Sequence, residues 1–249
     1  MKIIISPAKT MQSDPDAFPV AEMPEFLEET KTLLTQLRQY DGAALKALLG
    51  CSDALAELNY RRYQEMELER ELTPALFAYG GLQYRHMAPA AFTETEYCYL
   101  EEHLRIMSAF YGVLRPMDGI VPYRLEMQAK PEFCGSMYQF WGEKLGASLG
   151  RDNDFVINLA SKEYSTAARR GLPAYVKWVS VYFGTVKDGK FREKGTLCKM
   201  ARGTMVRFMA ERNVQTAEEL LEFQSLGFQF CPERSDSERL YFVQMPENH

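Results

Sequence analysis

The chain has 249 residues, is 46% hydrophobic and 25% charged, and carries a formal net charge of -5, so it has the makeup of a globular protein with one large core in a single compact domain spanning residues 1–249. No apolar run approaches the roughly 18 to 20 residues that cross a bilayer, and the amino terminus lacks the basic head and apolar segment of a signal peptide, so no membrane association and a cytoplasmic location are expected. Five scattered cysteines (Cys51, Cys98, Cys134, Cys198 and Cys231) without a C-x-x-C pair exclude a disulfide framework and a zinc ribbon.

Lys2 to Ser6 reads as a short buried strand that ends at Pro7. The segment that follows, ISPAKTM, sets Ser6 and Lys9 at a sheet edge, where α/β proteins gather binding groups. Lys9 could hold a phosphate there or activate Ser6 as a nucleophile, while the absence of glycine rules out a standard phosphate-binding loop. Pro24 to Gln39, Ala43 to Leu49 and Asp53 to Met66 show apolar residues at helical spacing with acidic outer faces. Thr93 and Glu96 form a capping box before a helix that runs through Leu100, Leu104 and Met107.

That helix leads into AFYGVLRPMDGIVPYRLEM, Ala109 to Met127, which mixes Gly112, Pro116, Gly119 and Pro122 with large apolar side chains and two arginines. A helix ending near Tyr111 and Gly112, an apolar turn and a new element after Pro116 resemble two helices joined by a tight hairpin. Such a turn can offer backbone N–H groups to a DNA phosphate. The usual DNA-binding hairpin has a second glycine two residues after the first, and this chain has Leu114 there. A turn belonging to the core is the competing reading. Met137 to Leu149 reads as a helix, in which Tyr138, Phe140 and Trp141 are packing residues. Phe155 to Leu159 is a strand, and Tyr175 to Val186 is a strand turning at Asp188-Gly189. Cys198 to Asn213 is a basic helix with Lys199, Arg202 and Arg207 broadly along one side. Thr216 with Glu219 suggests another capped helix, and Gly227 to Phe230 and Leu240 to Gln244 close the chain as strands. Interleaved helices, strands and hairpins make a mixed α/β fold.

The charge is segregated. Ala160 to Arg212 holds twelve lysines and arginines against four acidic residues, a local +8 that leaves -13 for the rest. Clustered cations suit a polyanion, whose counterions they displace, although a solvated basic face would have the same composition. His86, His103 and His249 form no metal motif, and the spacing of His103 from Cys98 does not put both on one helix face. No triad order and no H-E-x-x-H motif is present, so neither supports hydrolysis. No metal and no cofactor is expected.

Taken in order, ISPAKTM, MSAFYGVLRPMDGIVPYRLEM, MYQFWGEKL, VINLASKEY, KMARGTMVRFM and SLGFQF resemble the signature blocks of the YaaA family of bacterial peroxide-stress proteins, from Lys2 to about Phe230. The resemblance implies a mixed α/β single domain with a positively charged cleft and a helix-hairpin-helix-like element. It also implies DNA as partner and protection from hydrogen peroxide by limiting unincorporated iron. On this reading Tyr111, Gly112 and Arg115 belong to the hairpin, and the cleft draws on Lys9, Arg124, Lys162, Lys199, Arg202 and Arg207. Ferrous iron and peroxide together generate radicals that damage DNA, which connects the two themes. No residue cluster suggests an iron site, so the effect on iron is expected to be indirect. The competing reading is an enzyme acting on a phosphorylated or nucleotide substrate with Ser6, Lys9, Asp118, Tyr123, Arg124 and Glu126. A scaffold that binds proteins through the acidic helices is a third.

Overall fold

The computed structural model describes residues 1–16 and 18–244, so His249 lies outside the described residues. In chain order the elements are β1 (Lys2–Ile5), α1 (Leu27–Leu37), α2 (Gly42–Leu49), α3 (Asp53–Glu65), β2 (Thr73–Pro74), α4 (Ala75–Ala78), α5 (Leu82–Met87) and α6 (Glu94–His103). Then come β3 (Leu104–Ser108), β4 (Gly112–Leu114), β5 (Gly119–Ile120), α7 (Met137–Trp141), α8 (Lys144–Leu149), β6 (Phe155–Asn158) and α9 (Lys162–Arg169). The chain continues with β7 (Lys177–Lys187), β8 (Lys190–Arg192), α10 (Gly195–Arg212), β9 (Phe228–Phe230) and β10 (Arg239–Gln244). This is a mixed α/β fold, as the sequence suggests.

The main sheet runs β4-β3-β1-β6-β7-β10-β9, with β8 paired to β7 beside it. Its five inner strands, β3, β1, β6, β7 and β10, are parallel, and the antiparallel β4 and β9 close the edges. Ile3, Ile4 and Ile5 of β1 are fully buried. A strand covered on both faces needs no polar alternation, and Lys2–Ile5 has none after its first residue. Asp188 and Gly189 turn from β7 to β8 with φ of +52° and +71°, the left-handed pair that a two-residue hairpin demands.

The expected helix from Thr93 to Met107 is half right. Thr93 Oγ1 accepts from the Glu96 N–H and the Thr93 N–H donates to Glu96 Oε2, completing the capping box. The helix nonetheless ends at His103, and Leu104–Ser108 pairs with β1 in parallel register. Leu100, Leu104 and Met107 mimic a helix stripe, but Leu104, Ile106 and Met107 are all fully buried in the sheet. A doubly covered strand has no period of its own to betray it.

The helix-hairpin-helix expectation also meets a different structure. Residues 109–111 make the turn of a β-hairpin between β3 and β4. Ser108 Oγ accepts the N–H groups of Phe110 and Tyr111 at 3.1 and 2.8 Å, so the turn's donors are satisfied within the chain. Trp141 Nε1 donates to Ala109 O at 2.9 Å, and its ring meets Phe26 edge-on. The turn therefore belongs to the core, which was the competing reading of that stretch. Gly142, with φ of +51°, splits the expected helix 137–149 into α7 and α8. The capped helix expected at Thr216 is only a 3-10 turn, Glu219–Glu222, although Thr216 Oγ1 does donate to Glu219 Oε1 at 2.9 Å. Among the described residues no helix is long and apolar enough to cross a membrane.

Candidate functional site

The parallel strands follow the order β3-β1-β6-β7-β10, so the chain leaves β1 toward one edge and β6 toward the other. A crevice opens at the carboxyl ends of such a strand pair, because the two connecting segments diverge there, and open α/β sheets bind their ligands in it. A cavity of about 390 Å³ lies at this point, lined by the segments after β1 and β6, by Gly80 to Tyr84, by Tyr123 to Glu126 and by Lys199 and Arg202 of α10.

Ser6 and Ser161 knit its floor. The Ser161 N–H donates to Ser6 Oγ at 2.9 Å, Ser6 Oγ–H donates to Ser161 Oγ at 3.2 Å, and Tyr84 Oη–H donates to Ser6 O at 3.0 Å. The Ser6 hydroxyl is thus committed to tying β1 to β6. Lys9 Nζ does not serve it, lying instead 3.3 Å from Glu126 Oε1. This corrects the expectation that Lys9 activates Ser6 as a nucleophile.

Two close approaches shape the walls. Gly81, with φ of +102° and ψ of 179°, turns the chain into α5 through a backbone region that side-chain-bearing residues avoid. At Gly203 a methyl group would sit 2.1 Å from Gln83 O. Only glycine lets α10 lie this close to α5, so that Arg202 and Gln83 line one cavity.

The electrostatics are unbalanced toward donors. Among the described residues three buried side-chain nitrogens find no hydrogen-bond partner in the chain, Gln83 Nε2, Arg124 Nε and Arg202 Nε, and all three residues line this cavity. Arg124 Nε does lie 2.9 Å from Glu126 Oε1, but as an ion pair whose N–H is not aimed at the carboxylate. Arg202 reaches Glu193 only at 3.7 Å. The two arginine side chains are 13% and 14% exposed, so neither is fully open to water. Buried donors are nearly always paired, with protein or with water, so three left unpaired by the chain in one cavity call for acceptors from outside it, water or a ligand.

The cavity also holds acceptors and aromatic surface. Glu126 and Glu163 line it, and burial raises the Glu163 carboxyl above its usual range, with Glu126 adding to the rise. Tyr123 Oη bonds with Ser108 Oγ at 2.6 Å and Tyr79 Oη at 2.8 Å, and burial pushes its hydroxyl up to about 12. Burial likewise raises Tyr84 and Tyr164 well above the ordinary phenol.

Of the residues singled out from the sequence, Ser6, Lys9, Tyr123, Arg124, Glu126, Lys199 and Arg202 converge here. The others do not. Tyr111 is fully buried, and its Oη accepts from the Val121 N–H. Gly112 is buried beneath Phe26 and Trp141. Arg115 and Asp118 line a separate cleft with Lys2, at the amino end of the parallel strands. There Arg115 is engaged by Asp118 at 3.0 Å and by Glu22 at 2.5 Å. Arg207 spends its donors on Met87 O and on Glu211 and stacks on Phe92. Lys162 is exposed at the start of α9, next to Ser161 but outside the cavity lining.

Sequence reasoning missed Gln83, Gly81, Ser161, Glu163 and Tyr164. The Gly80-Gly81 pair was a usable signal of a tight loop. Ser161, Glu163 and Tyr164 sit in VINLASKEY directly after a strand, as ISPAKTM does, so the two strand ends could have been paired.

A sequence profile described as peroxide stress protein YaaA matches residues 1–234. The chain is 49% identical over 245 residues to a UPF0246 protein of Pediococcus pentosaceus, covering 98% of both chains. It is 45% identical over 245 residues to one of Desulfitobacterium hafniense, again covering 98% of both. A third, from Lachnoclostridium phytofermentans, is 43% identical over 250 residues, covering 100% of this chain and 98% of the relative.

Proposed function

The chain belongs to the peroxide stress protein YaaA family, and from that premise we propose that it acts in the cytoplasm during the response to hydrogen peroxide by binding DNA at the switch-point cleft. The reading rests on one observation above others: the three buried side-chain nitrogens that find no hydrogen-bond partner among the described residues gather in a single cavity, beside Lys199 of the +8 segment. Exposed Lys9, Lys162 and Lys199 at and beside its mouth would meet phosphate groups directly, and Arg124 and Arg202 below them would deepen the attractive potential. Protection follows if DNA held here is shielded from radicals or presented for repair. The limiting of unincorporated iron would then be an indirect consequence, with no iron held by the protein.

Binding of labelled duplex and bubble DNA tests this with two single variants. Lys199→Ala should weaken binding, and Arg115→Ala, at the opposite end of the strands, should leave it intact. The reverse pattern would move the DNA surface to the amino end of the sheet.

Glu126 and Glu163 favour a second reading. Carboxylates among cations in a cavity are poor company for a polyanion but suit acid and base chemistry on a phosphorylated or nucleotide substrate. Turnover of such a substrate by the purified protein, lost in Glu163→Gln, would carry this reading over the first.

A further inference from the structure

We propose that the inner part of this cavity binds one small phosphorylated molecule of mononucleotide size, which carries hydroxyl or amine donors as well as its phosphate. The proposal rests on the reading that the cleft is the functional site, but not on DNA being its partner.

Depth separates the two kinds of ligand. The unpaired N–H groups of Arg124 and Arg202 belong to side chains only 13% and 14% exposed, and Gln83 is 7% exposed. A duplex presents each phosphate flanked by neighbours along a stiff rod. Lowering one of them to this depth would drive the next against Glu126 and Glu163. A single phosphate at the end of a small molecule has no such neighbours, and a guanidinium is the group that meets its oxygens in a planar, charged hydrogen-bonding geometry.

The rest of the lining fits the remainder of the molecule. Glu163 and Glu126, whose Oε1 is already met by Lys9 and Arg124, offer their remaining lone pairs to sugar hydroxyls or ring amines; Glu163 Oε1 takes a long bond of 3.3 Å from the Gln128 N–H. Tyr84, Tyr123, Tyr164 and Leu125 give the apolar and aromatic surface on which a ring can rest. A volume of about 390 Å³ falls within the range of small-molecule sites, about 300–1,000 Å³. Each part of the lining therefore has a counterpart in one phosphate, one polar linker and one ring.

The test is calorimetric titration of the full-length protein with AMP, ribose 5-phosphate, adenosine and inorganic phosphate, alongside DNA binding by the same preparation. AMP should bind more tightly than adenosine and more tightly than inorganic phosphate, with ribose 5-phosphate between AMP and phosphate. Arg202→Lys, which keeps the charge but removes the buried Nε–H, should weaken AMP roughly tenfold or more, while a thermal melt confirms that the variant is folded. Glu163→Gln should weaken AMP and leave inorganic phosphate unchanged. No heat with AMP or ribose 5-phosphate at millimolar concentration would overturn the proposal, as would AMP binding indifferent to Arg202→Lys. DNA binding without AMP binding would remove this inference and leave the DNA reading standing. AMP binding without DNA binding would do the opposite.

Discussion

Arg202 keeps its Nε hydrogen buried and unpaired and touches Glu193 at only 3.7 Å. A buried donor without an acceptor costs a fold about 1–3 kcal/mol. Replacing the guanidinium by an apolar side chain of similar length removes that cost and keeps the packed stem. Arg202→Met should therefore raise the unfolding free energy by on the order of 1 kcal/mol while weakening phosphate ligands about tenfold or more. Thermal melts and titrations read both; a marked loss of stability would mean that Arg202 is structural. Asp118 makes a second prediction at this scale. Burial lifts its carboxyl from 3.8 to about 6, against the pull of the Arg115 backbone N–H and guanidinium. The folded state therefore holds the proton more tightly than the unfolded chain. Its stabilising contribution is complete below pH 3.8 and is lost as pH rises through about 6. Relative to Asp118→Asn, the wild type should lose up to roughly 3 kcal/mol between pH 4 and 7. A gap that widens in favour of the wild type as pH rises would contradict this. The chemistry of both residues was legible as charge in a motif. Their environment was not, because burial and partners come from segments tens of residues away: Arg202 shares its cavity with Gln83, and Asp118 sits beside Glu22.

At the scale of elements, the packing of α10 on α5 decides whether the site exists. With Gly203 pressed against Gln83 O, an added methyl would meet backbone at 2.1 Å that cannot rotate away. Gly203→Ala should cost about 1–3 kcal/mol of stability by overpacking, and it should weaken ligand binding beyond what that loss explains, because it pushes α5, which carries Gln83, away from α10, which carries Arg202. Equal binding by a destabilised but folded variant would show that this contact does not set the site. The basic helix was legible from Cys198 to Asn213 because its apolar positions recur at helical spacing, and β1 and β6 from their short β-branched runs. The β-hairpin at Ala109 to Tyr111 was not. Its glycine and proline punctuation is shared by helical and strand turns, and only the parallel pairing of β3 with β1 decides between them. The segment 75–87, with α4 and α5, gave no periodic signal in two such short helices, and the cavity wall from Gly80 to Tyr84 was lost with it.

For the whole molecule, topology and charge point to the same edge of the sheet. The switch between β1 and β6 opens a cleft at the carboxyl ends of the strands, and two of its basic side chains, Lys199 and Arg202, come from the segment that carries +8 in a chain of net -5. Composition revealed the segregation but not its geometry, since Arg115, assigned by resemblance to a DNA-binding hairpin, lies at the other end of the sheet from the cleft. The most direct test of the cleft as the phosphate-binding surface is the salt dependence of DNA affinity for the wild type and for Lys199→Ala with Arg202→Ala. Each phosphate neutralised contributes a slope of about 0.9 in log affinity against log salt. The wild type should show a slope of several units, and the double variant should bind more weakly with a slope lower by about 1 to 2. An unchanged slope and affinity in the double variant would contradict the assignment of this cleft.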